Sequence, residues 1–118
     1  ISEMIKYQYL RQGNLALTIA TVLDRENGNA YYGYSMKHPK DKFVKKEAIE
    51  ALKYGYHISV YDCLDGSIEI DDSLTRNELL LAILCDIYVK HRLTMPKHYR
   101  TYVMELIDEF NIRLLIGY

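Results

Sequence analysis

At 118 residues, with 49% apolar and 26% charged side chains, the chain has the size and composition of one domain built on one core. A formal net charge of −1 excludes a strongly cationic binder held to nucleic acid by phosphate neutralisation alone, and equally a DNA mimic, which needs a large acidic excess. Apolar runs stay short of the roughly 20 residues a spanning helix requires, and no signal-peptide pattern precedes the first strand, so the expected setting is cytoplasmic, with no membrane partner.

Ile1-Ser2-Glu3 precede Met4 and read as the remnant of a cleaved expression tag, leaving 4–118 as a single α+β domain. Met4–Leu10 alternates Ile5, Tyr7 and Tyr9 against Lys6 and Gln8, the period of a strand. Arg11-Gln12-Gly13-Asn14 is expected to turn. Leu15–Leu23 sets Leu15, Leu17 and Ile19 against Thr18, Ala20 and Val22, and apolar residues on both sides suit a central strand. Asn27-Gly28 tolerates the positive φ of a tight hairpin. Ala30–Met36 follows as a third strand in meander order, with Tyr32 and Tyr34 on one side and Tyr31 on the other.

Pro39 cannot extend a ladder. Asp41 is placed to cap a helix over Lys42–Tyr54, and Gly55 suits the left-handed position past its end. Tyr56–Cys63 alternates as a further strand, Asp65-Gly66 turns, and Ser67–Ile70 suits a short edge strand. Thr75-Arg76-Asn77-Glu78 is a capping box. It opens a helix to about Lys90 or His91, with Leu80, Ile83, Leu84 and Ile87 as its buried stripe. Leu79, Leu81 and Val89 fall outside that stripe, a surplus that suits a central core helix or one packed on a second partner. Pro96 starts a helix to Phe110 whose stripe is Tyr99, Val103, Leu106, Ile107 and Phe110, with Tyr102 at its margin. Ile112–Ile116 suits a last short strand. The expected fold is α+β: a mostly antiparallel sheet of three to five strands with three helices, the last two a helical hairpin.

Twelve tyrosines stand against two phenylalanines and no tryptophan. A phenol buries like a hydrophobe yet keeps a hydroxyl that needs a partner, so this bias favours half-wet recognition surfaces. Tyr7 and Tyr9 share a face of the first strand, and Tyr32 and Tyr34 a face of the third. In matching register the four rings line one face of the sheet, either as a stacking platform for bases or packed beneath helices. Charge is segregated along the chain. Lys37, Lys40, Lys42, Lys45, Lys46 and Lys53 crowd one stretch, acids from Asp62 to Asp72 follow, and Lys90, Arg92, Lys97 and Arg100 form a second basic block around Tyr99. These tyrosines and basic residues, Lys53 aside, are the candidate contact residues. Solvated faces and helix ends, where bases complement the dipole, account for the same charges.

Catalytic signals are weak. His91 and His98 lie either side of Pro96 and do not share a helix face as a metal pair would. No nucleophile elbow is present, and Asp71-Asp72 reads as a turn. Cys63 and Cys85 lack a metal-binding spacing and are expected as free, mostly buried thiols. The expectation is therefore no catalytic residue, no metal, no cofactor and no enzymatic activity.

Gly33–Leu52, GYSMKHPKDKFVKKEAIEAL, runs as a strand, a Pro-x-Asp turn, an aromatic residue and a lysine-rich helix. That order resembles a recurring stretch in small phage-encoded proteins. The resemblance implies a non-catalytic binding protein, such as a phage inhibitor of CRISPR or another host defence, acting on a host protein or ribonucleoprotein complex in the host cytoplasm. The residues alone also carry an alternative, a nucleic-acid or nucleotide binder using the sheet tyrosines and the Lys/Arg clusters. A homodimer formed through the apolar surplus at Leu79–Val89 and the apolar tail is a further expectation.

Overall fold

The computed structural model describes residues 5–54 and 66–117, and only the backbone of Lys53 and Tyr54. The expected tag remnant, the strand over 56–63, Cys63 and the cap at Gly55 lie outside those residues. The chain divides into two compact units, Ile1–Glu69 and Ile70–Tyr118.

The first unit is an antiparallel sheet in the order β1 (Lys6–Gln12), β2 (Leu15–Asp24), β3 (Asn29–Met36), β4 (Gly66–Glu69), with one helix, α1 (Lys45–Tyr54). Gly13 and Asn14 make the first turn. Gly13 at φ +58 supplies the positive dihedral that a two-residue turn matched to strand twist demands at its first position. The second connection is a four-residue loop and not the expected tight turn. Asp24 pairs with Asn29, the Asp24 carboxylate accepts from the Asn27 backbone and side-chain amides at 3.3 and 2.9 Å, and only Gly28, at φ +69, turns left-handed. β2 is the central strand its two apolar sides foretold: Ala16 to Ala20 and Val22 are all buried.

Both hairpin connections hold an even number of residues, so parity carries across the sheet. Tyr7 faces Ala20, which faces Gly33; Tyr9 faces Thr18, which faces Ser35. Tyr32 and Tyr34 sit beside Thr21 and Ile19, on the opposite face. The expected four-ring face therefore does not exist; an odd-numbered connection or a bulge would have been needed to create it.

Small side chains on the first face (Ala16, Thr18, Ala20, Gly33 and Ser35) let α1 approach closely. The Ser35 hydroxyl donates to the Ala48 carbonyl at 3.1 Å, pinning helix to strand. The helix starts three residues later than expected, its first bond running from the Ala48 amide to the Val44 carbonyl. Asp41 does not cap it; its amide closes a turn onto the His38 carbonyl at 2.9 Å. Residues 42–44 stay non-helical, and Phe43 docks on β1 instead.

The second unit is the helical hairpin: α2 (Arg76–His91), a short 3-10 turn at Arg92–Thr94, and α3 (Lys97–Leu115). The capping box is formed. The Glu78 amide donates to the Thr75 hydroxyl and the Thr75 amide to the Glu78 carboxylate, both at 3.2 Å. The stripes on both helices are buried as their periodicity requires, Tyr102 included. The expected last strand is helix: α3 runs through Ile112 to Leu115, and Gly117 at φ +87 ends it.

Candidate interaction surface

The sheet face beneath α1 carries a cluster built from β1 and the segment entering the helix. Tyr7, Tyr9 and Arg11 alternate onto this face. Phe43 meets Tyr9 edge to face, with ring centres 5.8 Å apart and planes at 72°. The Arg11 guanidinium lies 4.4 Å from the Phe43 ring centre, and the Lys45 ammonium 4.9 Å from that of Tyr9. Such cation–π contacts contribute about 0.5–1 kcal/mol each at exposed sites, a modest bias of the two cations toward the rings. Among the described residues, ion pairs join Lys90 to Asp86 and Arg113 to Glu109; Arg11 and Lys45 have no acidic partner. The Tyr7 hydroxyl is pushed above its usual pKa by burial first and by neighbouring Tyr9 second, so it stays neutral in ordinary buffers.

Next to the cluster, a cleft of about 170 Å³ opens between the sheet and α1, lined by Thr18, Ser35, Lys42, Phe43, Glu47 and Ala48 among others. Drug-sized ligands occupy roughly 300–1,000 Å³, so this cleft is too small to be a small-molecule site by itself. Glu47 already sets a carboxylate in the first turn of α1, where an anion would otherwise be favoured.

The other candidate residues fall into separate groups. Tyr32 is wholly buried and Tyr99 nearly so, which corrects their assignment to a contact surface. Tyr7, Tyr9 and Tyr34 are half-buried, and no tyrosine side chain among the described residues is fully exposed. The Lys37 ammonium donates to the His38, Pro39 and Asp41 carbonyls at 3.0, 3.4 and 2.6 Å, so it shapes the loop. Lys40, Lys42, Lys45 and Lys46 are exposed. In the second unit, Lys90 pairs with Asp86 at 3.1 Å and Arg92 donates to the Val89 carbonyl at 2.5 Å, both serving the end of α2. Lys97 is exposed and Arg100 half-buried in the first turn of α3. Cys85 is exposed, against the expectation of a buried thiol, because it falls off the stripe of α2.

Sequence reasoning missed Arg11 and Phe43. Arg11 was within reach, since it shares the parity of Tyr7 and Tyr9. Phe43 was not, because its meeting with Tyr9 depends on the whole sheet being folded. Fold and surface together define a small α+β protein with an aromatic–cationic patch along the rim of its sheet. No protein-family model, curated protein or solved structure matches this chain, and among the described residues no helix is long and apolar enough to cross a membrane.

Proposed function

We propose that this is a non-catalytic binding protein of the phage-encoded kind, acting in the host cytoplasm on a host protein or ribonucleoprotein complex, with an inhibitor of CRISPR or another defence as the type case. The observation that carries this reading is the pair of cations, Arg11 and Lys45, set over aromatic rings without an acidic partner among the described residues. Charges gathered over one aromatic cluster, with no acidic partner among the described residues, suit a partner of opposite sign. The nucleic-acid alternative draws support from exposed Lys40, Lys42 and Lys46, of which Lys42 lines the cleft. It loses its stacking platform, since the four expected tyrosines divide between two faces and Tyr32 is buried.

Affinity capture from host lysate tests the reading. The parent should retain a specific partner, and Arg11→Glu combined with Lys45→Glu should release it while the protein stays folded by circular dichroism. Oligonucleotide binding at low salt that falls steeply as salt rises, with no protein retained, would transfer the function to nucleic acid.

A further inference from the structure

β1 is the outer strand of the sheet, and among the described residues nothing pairs with its far side. Gln12 and Leu15 flank a two-residue turn, so they are the closing pair and exchange both backbone bonds. Alternate pairs repeat this at Leu10, Gln8 and Lys6. The backbone N–H and C=O groups of Tyr7, Tyr9 and Arg11 therefore point away from β2. These same residues send their side chains to the face that holds Phe43 and Lys45. A row of outward main-chain donors and acceptors thus runs beside two cations that have no acidic partner among the described residues.

We propose that β1 is a docking edge for an extended acidic segment of a partner protein, which adds as a fifth strand and sets its alternate carboxylates against Arg11 and Lys45. This deepens the binding reading above and rests on it. Main-chain pairing supplies affinity, and side chains of one parity supply selectivity. Charge decides the occupant: an approaching basic or neutral strand gains nothing from the two cations, and a basic one is repelled. Base stacking is the weaker competitor, because the Tyr9 and Phe43 rings are each already overlaid by a cation and meet edge to face.

The test uses the intact protein and a blocked heptapeptide alternating glutamate and valine, followed by NMR titration and amide hydrogen exchange. Slowed exchange at the Tyr7, Tyr9 and Arg11 amides is expected. A peptide with lysine for glutamate, and one N-methylated at the alternate residues whose amides face β1, should each bind at least about tenfold more weakly, whereas methylation of the other, outward set should be tolerated. Tyr7→Pro removes one outward donor while sparing the β2 ladder, and Lys6 before it is already extended; it should weaken binding to a similar degree. The N-methylated peptides give the same information with the protein untouched, should that variant unfold. Unchanged exchange at saturating peptide, equal binding of the N-methylated peptides, or shifts of these amides by oligothymidylate in place of the peptide would each overturn strand addition. A lysate partner held equally by the parent and a folded Tyr7→Pro variant would overturn it too, while leaving the broader binding function standing.

Discussion

A Cβ built on Gly66 would lie 2.5 Å from the Tyr32 hydroxyl oxygen and 2.7 and 2.8 Å from the ring carbons Cζ and Cε1. Tyr32 is 0% exposed, so the ring has nowhere to swing. Gly66→Ala must lift β4 from β3 or displace the ring, and should cost about 1–3 kcal/mol, the usual range for overpacking a core. Urea unfolding monitored by circular dichroism reads this as a lowered midpoint; an unchanged midpoint would mean the strand yields freely. Tyr32→Phe should not rescue the variant, because the ring carbons remain. A second residue links to pH. The Tyr102 pKa is pushed up to about 12, by burial first, then by Glu109, Tyr99 and Glu105. Below the ordinary value of 10.0, folded and unfolded phenols are both protonated and the preference contributes in full. As pH rises the unfolded phenol ionises first, so this stability drains away and is gone once pH has passed through about 12. Denaturant midpoints taken across that window should fall, and Tyr102→Phe should make the fall shallower.

At the level of elements, what could be read in advance was what short segments decide for themselves. The α2 capping box needs only Thr75 and Glu78 three residues apart, and it forms as written. Thr75→Ala should cost about 1 kcal/mol in thermal or urea unfolding, the usual worth of an N-cap, and Thr75→Ser should cost far less. The departures arise where a longer-range contact or a continuing ladder outweighs a local preference. Asp41 is a good cap by composition, yet capping there would wind Phe43 into a helix and away from Tyr9. Ile112–Ile116 is β-prone by composition, but no breaker stands between Phe110 and Leu115, so the helix adds one bond per residue until Gly117. The tyrosine faces were countable: two even connections fix the parity of β1 against β3, whatever their turn types. The Arg11–Phe43–Tyr9–Lys45 cluster was legible only in part, since two of its members come from beyond a Pro-containing loop whose path no local pattern dictates.

For the molecule as a whole, two kinds of surface invite association, and ionic strength tells them apart. The rim of β1 offers cations set over aromatic rings. One side of α3 offers apolar side chains instead: Met104, Ile112 and Leu115 are 39, 57 and 85% exposed, and their spacing along the helix keeps them within one stripe. Such a stripe is what a homodimer would cover, joining identical patches about a two-fold axis. Contacts at the β1 rim should weaken as salt screens them over a Debye length of about 8–10 Å near physiological strength. An apolar contact between copies should hold or tighten in sulfate. Sedimentation over a range of protein concentrations should therefore show a dimer that persists in salt, and Ile112→Glu with Leu115→Glu should return it to a folded monomer whose melt no longer depends on protein concentration. A strict monomer at high concentration would remove self-association and leave the α3 stripe as ordinary exposed apolar surface.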